Sequence, residues 1–148
     1  MLLKRINKNK QIEFYSAETS LELKLPMAES VSAGFPSPAE EYMDLSLDLN
    51  KDLITNPNST FYARVKGNSM TDAGINNGDI IVIDKSLEPV DGKKAVCYVD
   101  GEFTIKTINI KKNELWLMPA NPEYKAIKIN PENEFIIWGI VTFVIHKM

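Results

Sequence analysis

The chain of 148 residues holds a single cysteine, Cys97, and a single histidine, His146. One thiol excludes an internal disulfide and a cysteine-based metal cluster, and it suits a reducing compartment. Cys97 alternates with apolar neighbours in Val96-Cys97-Tyr98-Val99 and reads as core. His146 lies two residues from the end, after a strand-like apolar run, and reads as a half-exposed terminal residue. It speaks against a Ser-His-Asp triad. No Gly-rich phosphate loop, internal repeat or low-complexity tract occurs, so neither cofactor nor metal is expected. The formal net charge is -3, with no basic excess of the kind a dedicated, sequence-specific DNA binder shows. No apolar run approaches the length of a membrane span. Met1 to Ile6 carries positive charge but leads into polar Asn7-Lys8-Asn9-Lys10-Gln11, unlike a signal peptide. A cytoplasmic location without membrane association is expected.

What is present is an ordinary globular composition, 44% hydrophobic and 25% charged, in a chain long enough for one cored domain. Residues Met1 to about Ser32 lack sustained periodicity and read as an arm, with pieces such as Ile12-Glu13-Phe14-Tyr15 suited to pairing with a sheet edge. Ser37-Pro38-Ala39-Glu40 has the form of a capping box, predicting a short helix to about Met43. Leu45 to Leu49 alternates like a strand, and Asn50 is placed to cap a second short helix. Strands follow at Phe61–Lys66, Ile80–Asp84, Lys94–Val99, Phe103–Ile110, Glu114–Met118, Ile127–Ile129 and Phe135–Ile145, between turns rich in Gly, Pro, Asn and Asp. The fold class is mostly β, a curved or barrel-like sheet arrangement with one or two short helices and an N-terminal arm. Phe135–Ile145 is apolar on both faces, more than one edge strand hides, so a homodimer using strands near the C-terminus is expected.

Two residues carry possible chemistry. Ser69 lies in Gly67-Asn68-Ser69-Met70, a turn between two strands, where a hydroxyl can be exposed while nearby N–H groups stay free for an oxyanion. The same tetrapeptide is equally ordinary turn chemistry. Serine nucleophiles can use a lysine kept neutral by an apolar site as their base. Lys106 lies in Phe103-Thr104-Ile105-Lys106-Thr107-Ile108, the second arm of a hairpin turning at Asp100-Gly101. A solvated lysine on an alternating strand is the other reading.

Gly67-Asn68-Ser69-Met70, followed by Gly74-Ile75 and Asn77-Gly78-Asp79, resembles the nucleophile segment of LexA-like self-cleaving serine peptidases. Val99-Asp100-Gly101-Glu102-Phe103-Thr104-Ile105-Lys106 resembles that family's lysine segment. Ala33-Gly34-Phe35-Pro36-Ser37-Pro38-Ala39 resembles its self-cleavage site, with the scissile bond before the glycine. The Gly-Phe-Pro-Ser-Pro-Ala run and the segment Leu47-Asp48-Leu49-Asn50 to Leu53-Ile54 are most similar to the UmuD-like branch.

This resemblance implies a serine endopeptidase in which Ser69 and Lys106 are the catalytic dyad and Ala33–Gly34 the bond cut. It divides the chain into an arm, residues 1–33, removed by self-cleavage, and a peptidase and polymerase-accessory domain, residues 34–148. It further implies stimulation by a RecA filament on single-stranded DNA, and a trimmed homodimer that binds a UmuC-like error-prone translesion DNA polymerase in the SOS response. The cut would remove five basic and four acidic residues, so activation would work by uncovering surface. A LexA-like repressor is the main alternative, although the short stretch ahead of Gly34 shows no helical periodicity for a helix-turn-helix. The other is an inert binding module of the same fold. Bacterial signal peptidases also pair serine with lysine, but the missing membrane span counts against them.

Overall fold

A computed structural model describes residues 3–8, 12–17, 24–27 and 45–148. The Ala33–Gly34 bond and the helix expected at Ser37 to Met43 lie outside the described residues. The elements are β1 (Leu3–Lys8), β2 (Ile12–Ala17), β3 (Lys24–Met27), β4 (Leu45–Asp48), α1 (Leu49–Leu53), β5 (Thr60–Val65), β6 (Ile80–Asp84), β7 (Lys94–Val99), β8 (Glu102–Lys111), β9 (Glu114–Met118), β10 (Ile127–Lys128) and β11 (Phe135–Ile145). Single 3-10 turns occur at Pro57–Ser59 and Thr71–Ala73. Nine strands form one sheet in the order β1-β2-β5-β6-β11-β7-β8-β9-β10, and β3 pairs with β4 in a second. The mostly β reading holds.

The short helix is capped differently from expectation. Asp48, in extended conformation, accepts the Asn50 N–H at 3.0 Å, so the cap falls two residues early and Asn50 is buried inside the first turn. The β7–β8 hairpin turns at Asp100 and Gly101, with φ of +46° and +91°, as a two-residue turn between Val99 and Glu102 requires.

The last strand is central where an edge was expected. The first half of β11 pairs with β7, from Phe135 opposite Val99 to Ile140 opposite Ala95. Its second half pairs with β6, from Ile140 opposite Asp84 to Ile145 opposite Ile80. Both edges of the strand are thus used for pairing, and Gly139 and Ile140 at its middle are buried, while Ile136, Phe143, Val144 and Ile145 are exposed. The change of neighbour falls at Ile140, between a bulge at Ile137 to Gly139 on the β7 side and one at Val141 to Phe143 on the β6 side. A Cβ at position 139 would stand 2.5 Å from Ile83 Cγ2, so the crossing needs glycine.

Three apolar clusters hold the sheet. The largest joins Ala63, Val65, Ile81, Ile83, Val96 and Ile105 with Met70 and Ile75 from the β5–β6 loop and Ile12 from β2. The second lies on the other face of β7 and β8 and contains Ala95, Cys97, Ile108, Leu117 and Ile140. The third sets Ile54, just past α1, against Tyr62 and Val82. Strand β2 runs antiparallel along β5, with Ile12 opposite Val65, so an arm strand does pair there.

Candidate active site

The loop between β5 and β6 carries Ser69. Its stem is closed by Val65 N–H to Asp79 O at 2.9 Å and Gly78 N–H to Val65 O at 2.8 Å. Gly67 enters the loop with φ of +97°, which side-chain-bearing residues rarely adopt, and its N–H donates to Asn77 Oδ1 at 3.0 Å. Met70 and Ile75 turn inward and are buried in the largest cluster. Between them the chain makes one tight turn, with Ala73 and Ile75 N–H both donating to Met70 O. Ser69 therefore sits beside a fixed apolar anchor, half-buried, with its hydroxyl at the wall of a groove.

Lys106 comes from a different kind of structure. In a strand alternate residues share a face, so Thr104, Lys106 and Ile108 point to one side of β8. Across β7, Ala95 stands opposite Lys106 and Cys97 opposite Thr104. The lysine is only 5% exposed. Its Nζ lies 3.2 Å from Ser69 Oγ, 2.6 Å from Thr104 Oγ1 and 3.1 Å from Ile105 O. All three partners are neutral. Burial lowers the lysine pKa, opposed weakly by the neighbouring Cys97. Burial likewise pushes the Cys97 thiol up to about 12, with Lys106 pulling the other way, so the thiol stays protonated. Cys97 is core, as its alternation indicated.

The structure thus brings Ser69 and Lys106 together from segments 37 residues apart. A protonated amine here would donate to all three partners. A neutral amine can donate to Thr104 and Ile105 O and use its lone pair to accept from the Ser69 hydroxyl. Both side chains line a groove of about 570 Å³, whose walls include Lys66 to Ser69 on one side and Tyr124, Lys125 and Ile127 on another. Sequence reasoning missed Thr104. Its one signal was the shared face implied by two-residue spacing from Lys106. His146 does not approach the site, and its Nδ1 pairs with buried Asp79 at the base of the loop. Among the described residues no group of three His, Cys, Asp or Glu is placed to hold a metal, and no helix is long and apolar enough to cross a membrane.

Residues 26–142 match the Peptidase S24-like family, and the chain belongs to that family of serine peptidases. Protein SamA of Salmonella typhimurium is 43% identical over 119 residues, covering 80% of this chain and 82% of that protein. Protein ImpA of Escherichia coli is 40% identical over 121 residues, 81% of each chain. Protein MucA of Escherichia coli is 39% identical over 115 residues, 77% of this chain and 78% of MucA. The family resemblance carried by the sequence motifs is borne out.

Proposed function

We propose that the chain cuts its own Ala33–Gly34 bond with Ser69 as nucleophile and Lys106 as general base. The observation that carries this reading is the 3.2 Å approach of Lys106 Nζ to Ser69 Oγ in a groove, with the amine otherwise buried among neutral groups. Ser69 Oγ attacks the Ala33 carbonyl carbon while its proton passes to the neutral amine. The resulting ammonium protonates the Gly34 nitrogen as the C–N bond breaks, leaving Ala33 esterified to Ser69. Water, deprotonated by Lys106, then cleaves the ester, restoring the hydroxyl and releasing residues 1–33 with a new carboxylate. Backbone N–H groups around Ser69 stabilise the oxyanion. A tethered substrate makes a modest catalyst sufficient, since effective molarities of ~10⁵ M or more are available to well-placed groups.

The setting we infer is the SOS response. A RecA filament on single-stranded DNA stimulates the cut, and the trimmed chain, residues 34–148, forms a cytoplasmic homodimer that binds a UmuC-like translesion polymerase. Two features support activation by uncovering surface. The cut would sever β1, β2 and β3 from the rest of the chain, and Ile12 of β2 is 1% exposed in the main core. The exposed apolar side chains of Phe143, Val144 and Ile145 at the end of β11 give a second copy a surface to cover.

Intact-mass analysis of purified protein, alone across pH and at neutral pH with RecA, nucleotide and single-stranded DNA, tests this. The expected fragment begins Gly34-Phe35-Pro36, and it accumulates faster as pH rises through the lysine pKa. No cut under any of these conditions, or a different new N-terminus, overturns the assignment.

A further inference from the structure

Two peptide planes flank Ser69, and both are held from the same side by the residues that follow β9. Ala120 N–H donates to Ser69 O at 2.8 Å, and Asn121 Nδ2 donates to Asn68 O at 2.7 Å. The peptides are trans, so each N–H points opposite its carbonyl. Anchoring Asn68 O therefore turns the Ser69 N–H away from Asn121, and anchoring Ser69 O turns the Met70 N–H away from Ala120. Among the described residues neither of these N–H groups meets an acceptor. Two oriented, unspent donors beside a nucleophile are what a tetrahedral oxyanion requires.

Asn121 is specifically equipped for this task. Its Oδ1 accepts the Glu123 N–H at 2.9 Å, which fixes the amide so that Nδ2 faces the nucleophile loop. There Nδ2 also reaches Thr71 Oγ1 at 3.2 Å, and the Thr71 hydroxyl itself donates to Asn68 O at 2.7 Å. Asp72 N–H returns a bond to Ala120 O at 2.7 Å, locking the two segments in both directions. We propose that Asn121 is a positioning residue for self-cleavage. Its side-chain amide holds the Asn68 carbonyl so that the Ser69 N–H is ready for the oxyanion before substrate arrives, beside the Met70 N–H that the Ala120 backbone orients. The inference rests on the dyad reading given above.

Asn121→Asp separates positioning from folding. The carboxylate keeps the oxygen that receives the Glu123 N–H, but it cannot donate, and it places negative charge against the Asn68 carbonyl. The first-order self-cleavage rate is measured by intact mass across pH, beside thermal melting. The plateau rate at high pH should fall roughly 10²-fold, the size of effect that a small misplacement or a lost oxyanion donor produces. The new carboxylate, one residue from Ser69, should also raise the pH midpoint by favouring the Lys106 ammonium. A plateau rate within threefold of the parent overturns the proposal. If Asn121→Asp fails to fold, Thr71→Val and Thr71→Ser decide. Removing the other side-chain donor to Asn68 O should slow the cut and restoring a hydroxyl should recover it, and equal rates in the two variants overturn the proposal. Failure of the dyad reading looks different: the parent does not cut, or Ser69→Ala still does.

Discussion

Ser69 and Lys106 approach to 3.2 Å, yet they are held by opposite means. The serine stands on an irregular loop whose fixed points are mostly hydrogen bonds: Gly67 to Asn77, Ser69 O to Ala120, Asn68 O to Asn121. Met70 and Ile75, with half-buried Ala73 packed beside them, tie that loop to the core. The lysine stands in the middle of a ten-residue strand, placed by ladder register with β7 and surrounded by Ala95, Cys97 and Ile108. The loop can present free N–H groups because it is irregular, since a strand would have spent them on its neighbour. The strand can keep an amine dry because it is regular and covered. Geometry for the nucleophile comes from polar latches, and basicity of the lysine comes from apolar burial.

The largest effect expected is loss of the reaction itself. Ser69→Ala and Lys106→Ala should each lower self-cleavage by a factor of ~10⁴ or more, since residues acting in one proton transfer fail together. Lys106→Arg should fail as completely, because a guanidinium does not deprotonate in this range. Rates by intact mass, with circular dichroism to verify folding, provide the check. A folded Lys106→Ala protein that cut at the parental rate would remove one side of the contrast.

A second pair of variants tests whether the two supports are separable. Met70→Ala and Ile108→Ala each delete a buried side chain and should each cost about 2–5 kcal/mol in denaturant unfolding. Their pH profiles should differ. Losing Ile108, two residues from Lys106 on the same face, admits water beside the amine, so the midpoint of the rate profile should climb toward the ordinary lysine value of ~10.4. Losing Met70 loosens the serine, so the plateau should drop while the midpoint stays. Equal midpoint shifts in both variants would show that the loop and the strand are one coupled unit.

Much of this arrangement was legible because local chemistry and global fold agree. The Asp100-Gly101 turn, the alternation of β5 and β8, and the Gly67-Asn68-Ser69 and Thr104-Ile105-Lys106 segments each point to the structure found. The central position of β11 was not legible. Apolar residues on both faces fit either an edge strand or a strand flanked on both sides, and the change of neighbour from β7 to β6 depends on a close pass of Gly139 over Ile83 that no local pattern announces. Thr104 was hidden because a threonine on a strand ordinarily meets solvent. Asn121, followed by Pro122, reads as plain turn chemistry, and nothing local announces a partner 53 residues away.

The smallest effect expected bears on the strand side alone. The Lys106 pKa is lowered by burial below the ordinary value of ~10.4 that it regains on unfolding. Between those two values the unfolded chain binds more protons than the folded one, so stability rises with pH across that window and levels off above it. Below the folded pKa the full cost of the buried ammonium is present, about 1.4 kcal/mol for each unit of lowering. Lys106→Met keeps an apolar stem and removes the titration, but it leaves Thr104 Oγ1 and Ile105 O without their donor, which offsets part of the gain. The net expectation is a variant more stable than the parent at pH 7, with the difference shrinking as pH approaches ~10.4. Thermal melts of both proteins at several pH values read this directly. A constant difference across pH would mean that burial does not strain the ammonium, and the amine would then have no structural reason to serve as a base near neutral pH.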